Sequence, residues 1–175
     1  MFAWLLATDG DWVLTLARVV LGATFFAHGA QKLFGWFGGH GLEATLRTFR
    51  EHLGIPAPLT YLAIAAELFG GLGLIVGLLS RIAALGVAGT MIVAMFKVHW
   101  PFGFFINWFG DRKGHGIEYH LLAIALAAVI IVHGAGALSV DRALYRRLAS
   151  PSSGNFALDF DFRNPLFSLV NLASQ

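Results

Sequence analysis

Four polar insertions interrupt otherwise apolar stretches of this sequence. The first is His28-Gly29-Ala30-Gln31-Lys32, which sets an imidazole, an amide and an ammonium group on one short segment. The others are Glu67, Lys97-Val98-His99 and Glu118-Tyr119-His120. Histidine takes or gives a proton near neutral pH. A carboxylate and an ammonium group can hold the matching charge or hydrogen-bond a polar ligand. In hydrocarbon an unpaired carboxylate costs at least ~2.5 kcal/mol, so Glu67 has to be neutral, paired with a cation or in contact with water. Lys32 is the cation best matched by sign and by the reach of its stem, and His28 is the adjustable group beside it.

Helical rise converts these positions into depths. Counted from the face that carries the two long loops, His28 lies ~14 Å in, Glu67 ~12 Å and Lys32 ~8 Å, at ~1.5 Å per residue. Lys97 and Glu118 are shallower. His28 and Glu67 are thus expected to act as a proton-handling pair, with Gln31, Lys32, Lys97, His99 and Glu118 as ligand-binding groups around them. Plainer roles stay open for each. Glu67 with Lys32 can be a structural buried pair, and His28 can hydrogen-bond between helices. Lys97 and His99 can snorkel at a span end. His120 faces roughly 200° away from Glu118, which makes one of the two peripheral. His133, Arg18 and Asp141 fall towards the opposite face, where an Arg18–Asp141 salt bridge closing the bundle is expected. No H-x-x-x-H or E-x-x-H spacing joins the candidate ligands, so a metal site is not supported.

The elements that position these residues are apolar helices. Hydrophobic residues make up 57% of the 175 and charged residues 13%, with mean hydropathy +0.71, against roughly 25% charge in soluble chains. Four segments read as membrane spans: about 12–37, 59–79, 82–100 and 118–138. The first covers ~39 Å at ~1.5 Å per residue and so tilts or protrudes. On its wheel Arg18, Gly22, Phe25, His28, Gly29 and Lys32 share about a third of the circumference, a face for the protein interior. It reads as a retained span rather than a cleaved leader, because Asp9 and Asp11 stand where a positive region would be. Between spans 1 and 2, Leu42, Leu46, Phe49 and Leu53 alternate with Glu43, Arg47, Arg50 and Glu51, the pattern of a short amphipathic interfacial helix. The connection 100–117 is rich in aromatics suited to the membrane interface. Residues 1–149 form one membrane domain, and 150–175 form a polar tail that a partner chain would hold.

Composition also excludes. A net charge of +2 without a basic, aromatic-interleaved run argues against nucleic-acid binding. The sequence has no cysteine, which rules out a thiol relay of its own. Basic residues near span ends balance between the two faces, and the short N-terminal segment favours cytoplasmic termini.

Six short motifs occur in order: Arg18-Val19-Val20-Leu21-Gly22, His28-Gly29-Ala30-Gln31-Lys32-Leu33, Leu53-Gly54-Ile55-Pro56, Ala66-Glu67-Leu68-Phe69-Gly70-Gly71, Gly116-Ile117-Glu118-Tyr119 and Gly134-Ala135-Gly136-Ala137-Leu138-Ser139-Val140-Asp141. Together they resemble the DoxX family of small four-span bacterial membrane proteins, over about residues 14–144. The resemblance implies an all-α integral membrane four-helix bundle in the bacterial cytoplasmic membrane. Relatives named DoxD are associated with thiosulfate:quinone oxidoreductase, and others with oxidative-stress or membrane redox assemblies. A quinone-linked role carries over to His28, Lys32, Glu67 and Glu118. The expected ligand is a quinone, with no covalently bound cofactor, and electrons come from other membrane subunits or a small reductant. A non-catalytic accessory subunit of a larger respiratory or photosynthetic complex is the competing reading, and a transporter for a small acid is a third.

Overall fold

The computed structural model describes residues 2–149, which are helical with connecting loops and contain no strand. The 150–175 tail lies outside the described residues. In chain order the helices are α1 (Phe2–Leu6), α2 (Trp12–Phe34), α3 (Gly41–Glu51), α4 (Ala57–Val76), α5 (Ser80–Ala94), α6 (Glu118–His133) and α7 (Val140–Ala149). Three apolar helices are long enough to cross a bilayer: Trp12–Phe34, Ala57–Val76 and the continuous helical stretch Ser80–Phe102 that begins with α5. The fourth apolar segment, α6, has 16 residues, or ~24 Å at ~1.5 Å per residue, short of a ~30 Å hydrocarbon core.

Local chemistry sets the ends of these helices. Asp11 caps α2 by accepting from the Val13 and Leu14 amides. Gly35, at φ 75°, ends it in the left-handed conformation two residues before the expected limit of Phe37. Helix α6 stops at His133 because Gly134 and Gly136 both take positive φ, which removes the last turn from the expected span 118–138. The amphipathic stretch forms α3 as expected, and the Thr45 hydroxyl donates to the Lys32 carbonyl at 3.1 Å, tying α3 to the end of α2.

One buried core joins α2, α4, α5 and α6. It is built from Leu21, Phe25, Leu74, Val87, Met91, Ala127 and Ile130 with small alanines between them. The α2–α4 crossing is the closest. A Cβ on Gly29 would sit 2.4 Å from the Leu68 amide nitrogen, and one on Gly71 the same distance from that of Phe26. Backbones meet there because only hydrogen stands between them. The outward faces stay apolar: Leu16, Leu62, Phe69, Leu85, Leu122 and Val132 are all exposed, as lipid requires.

The end carrying α1 and α7 is closed differently from the expectation. Arg18 and Asp141 are both buried, yet they do not form a salt bridge. Arg18 donates to the carbonyls of Leu74, Ile75, Ala135 and Leu138, while Asp141 accepts from the amides of Leu79 and Ser80 at 2.7 and 2.9 Å. Helix ends and the glycine turn leave carbonyls and amides without partners, and the two charged groups serve them instead of each other. Arg81 does the same for the carbonyls of Ala7, Ile131 and Val132 and lies over the Trp4 ring.

Candidate functional site

Near the opposite end, Lys32 on α2 and Glu67 on α4 form an ion pair. The Glu67 side chain is 6% exposed and that of Lys32 24%, so the carboxylate is sealed while the ammonium group keeps an open side. Lys32 sits in the last turn of α2, where a cation also meets the partial negative charge of the helix end. Glu67 is the only charge on α4. One turn deeper on α2, the half-buried His28 ring packs between Phe25, at 6.1 Å between centroids, and Tyr119 of α6, at 6.5 Å. His28 lies within electrostatic reach of both Lys32 and Glu67, and Tyr119 within reach of Glu67.

These groups form one pole of a cavity of about 1050 Å³. Its wall is mainly apolar and comes from α2, α3, α4, α5, α6 and the loop before α6. The exposed residues of its rim include Leu59, Leu62, Leu85 and Val93, so it opens sideways between α4 and α5. Phe49 and Leu53, from the α3 side, cover the end nearest the loops.

A second polar group adjoins the first through Tyr119, whose ring lies 6.5 Å from that of His28 and 5.7 Å from that of His120. Past Ala94 the helix widens into a π turn over Met95–His99, and Lys97 and His99 of this turn both line the cavity. Such wide turns cluster at functional sites because the extra residue re-aims side chains. His99 Nδ1 lies 2.8 Å from the His115 carbonyl oxygen. A carbonyl only accepts, so Nδ1 carries the hydrogen, and in the neutral ring Nε2 is a bare acceptor. The His99 and His120 rings are 4.1 Å apart between centroids. Two buried atoms nearby, Tyr119 Oη and His120 Nδ1, have no hydrogen-bond partner.

Of the residues singled out in the sequence, His28, Lys32, Glu67, Lys97 and His99 line this one cavity. Gln31 and Glu118 do not. The Gln31 amide donates to the Phe37 carbonyl at 3.1 Å and braces the turn after α2. Glu118 accepts from the Ile106 amide at 3.0 Å and anchors the aromatic loop. Arg18 and Asp141 belong to the opposite end, and His133 lies 3.8 Å from Asp9, both well exposed. Among the described residues no three His, Asp or Glu side chains gather closely enough to hold a metal ion.

Two cavity residues carry more than sequence reasoning assigned them. Tyr119 received no role, and His120 was weighed only as the alternative to Glu118. The signal was present: the 200° between Glu118 and His120 means that if one faces the loop the other faces the interior, and Tyr119 lies between them.

The family model described as DoxX matches residues 13–100, a range that holds His28, Lys32, Glu67, Lys97 and His99. The chain is 29% identical to "Inner membrane protein YqjF" of Escherichia coli (strain K12) over 132 residues, which is 75% of this chain and 92% of that protein. It is 36% identical to "Putative oxidoreductase CatD" of Bacillus subtilis (strain 168) over 83 residues, 47% of this chain and 57% of that protein. No solved structure matches.

Proposed function

The chain belongs to the DoxX family of membrane proteins, and we propose that it is a redox subunit which binds a quinone as substrate in the cavity beside the Lys32–Glu67 pair. In this reading α6 is a fourth, short span, the four apolar helices form a transmembrane bundle, and the protein resides in the bacterial cytoplasmic membrane. The single observation that carries the reading is a large, mainly apolar cavity with the Lys32–Glu67 ion pair and His28 in its wall. That is the shape an apolar, ring-headed ligand needs. The name of the Bacillus subtilis relative supports the redox class.

Each group has a task. Lys32 or His28 donates a hydrogen bond to a quinone oxygen. Glu67 and His28 exchange the proton that accompanies reduction. Reduction to the quinol takes two electrons and two protons. The electrons come from a partner redox subunit or a small reductant, since this chain carries no cofactor-binding motif in its sequence. The apolar wall keeps bulk water from the reacting oxygen and strengthens each electrostatic contact.

Binding of a quinone analogue to the full chain in detergent tests this. Wild type binds saturably, and Glu67→Gln and His28→Ala each weaken binding by about tenfold, the worth of one charged hydrogen bond. Absence of saturable binding, or equal affinity in both variants, removes the proposal.

The exposed Trp108 and Phe109 of the aromatic loop, 78% and 93% accessible, favour a second reading as an accessory subunit docked on a larger membrane complex. Co-purification of a stoichiometric large partner whose activity survives Glu67→Gln would select that reading.

A further inference from the structure

The cavity's charges do not balance. Its wall holds two ammonium groups, Lys32 and Lys97, and one carboxylate, Glu67, together with four imidazoles. Glu67 is committed to Lys32. Lys97 has no ion-pair or hydrogen-bond partner among the described residues. The nearby carboxylate of Glu118 turns away to the Ile106 amide and does not reach the cavity wall. Lys97 is exposed, near the end of the Ser80–Phe102 stretch, and its positive charge is left at the cavity edge without a counter-charge. Tyr119 Oη and His120 Nδ1 are likewise buried without partners, and buried polar groups in this position need something to bond.

Bulk is missing along the same wall. Between α4 and α5 the lining leaves a corridor beside Gly89, where an added Cβ would meet no atom within 4 Å, whereas at Gly86 the helices already touch, an added Cβ lying 3.2 Å from that of Ala66. That corridor fits a slim aliphatic chain leading from the lipid-facing rim to the polar pole.

We propose that the cavity selects an anionic amphiphile, with its ionised acidic head against Lys97 and the Tyr119–His120 face and its aliphatic body along the corridor beside Gly89. Two sources share this chemistry: an acidic hydroxyquinone and a long-chain carboxylate. The first rests on the quinone reading above; the second does not. The charged and titratable groups facing the head are Lys97 on its own turn, His28 and Lys32 from α2, Glu67 from α4, Tyr119 and His120 from α6, and His99 with His115 at the loop side. Because the only carboxylate among them is already paired, the ligand's charge meets no uncompensated repulsion.

Matched ligands separate the outcomes. A 2-hydroxy-3-alkyl-1,4-naphthoquinone is compared with its 2-methoxy counterpart, and a saturated C16 carboxylate with its methyl ester, at pH 8 with the full chain in nonionic detergent. The acidic member of each pair binds about tenfold tighter, as a charge-assisted contact provides. Lys97→Gln reduces that preference to about twofold or less while leaving the neutral member's affinity unchanged, since only the ion's partner is lost. Gly89→Leu weakens all four ligands by filling the corridor, and a melting curve equal to wild type shows that it is folded. Equal binding of the two naphthoquinones and of the two C16 compounds, or a preference that survives Lys97→Gln, overturns this inference; equal quinone binding leaves the quinone reading standing. Binding of the carboxylate with its preference intact, but of neither quinone, removes the quinone reading and keeps the anionic selectivity.

Discussion

Lys32 and Glu67 lie 35 residues apart in sequence and meet where neither charge is well solvated. Such a pair gains little net stability, because desolvating two ions offsets most of their attraction, whereas removing one partner strands the other and costs about 3–5 kcal/mol. Glu67→Gln is therefore expected to lower the melting temperature in detergent sharply. The double variant Lys32→Met with Glu67→Leu should recover most of that loss, since apolar residues of similar size replace the pair. If the recovered double variant also fails to bind a quinone analogue, the pair serves the ligand; if it binds like wild type, the pair is structural. Arg18 makes an instructive contrast. It too is a buried charge, but its planar fork donates to four backbone carbonyls, which commits four of its five N–H groups to the fold.

At the scale of elements, the α2–α4 crossing fixes where His28, Lys32 and Glu67 stand. Gly29 lies between His28 and Lys32 on the chain, and its backbone touches that of Leu68, next to Glu67. A methyl group there collides with main chain, which cannot rotate aside. Gly29→Ala should push the helices apart and cost about 1–3 kcal/mol, seen as a lower melting temperature together with weaker ligand binding. Gly89→Ala on α5 meets open space and should be neutral or slightly stabilising, by up to about 1 kcal/mol, because alanine favours the helix. Equal effects at the two glycines would contradict the close crossing. The π turn after α5 is the other positioning device, since a strictly α-helical continuation would carry Lys97 and His99 round at 100° per residue.

For the whole molecule, the decisive question is how many times the chain crosses the bilayer. Three helices satisfy the length requirement alone, and α6 falls about one turn short of a straight crossing by its rise. If α6 does cross, the ends near Asp9 and Arg147 share one side, while Glu51 and Arg112 face the other. The sequence has no cysteine, so single cysteines at these four positions report topology without background. An impermeant thiol reagent applied to one side should label Asp9→Cys and Arg147→Cys together and exclude Glu51→Cys and Arg112→Cys, or the reverse. Labelling of Asp9→Cys and Arg147→Cys from opposite sides would reduce the crossings to an odd number.

Composition and helical periodicity alone were enough to identify apolar membrane helices, the surface pattern of α3 and the convergence of Lys32 with Glu67, because hydrophobic burial and the cost of a lone charge in hydrocarbon act on any chain with these residues at this spacing. They also placed Gly22 and Gly29 on the interior face of α2. Three-dimensional contacts alone decided the rest. The partners of Arg18 and Asp141 depended on which backbone groups the end of α4, the start of α5 and the turn at Gly134–Gly136 left unsatisfied, and no side-chain pattern records that. The placing of Glu118 on the Ile106 amide, and of Tyr119 and His120 in the cavity wall, followed from how the aromatic loop folds back on α6. The widening at Met95–His99 shifted the register of Lys97 and His99 by one residue, a local choice that packing makes and periodicity cannot foresee.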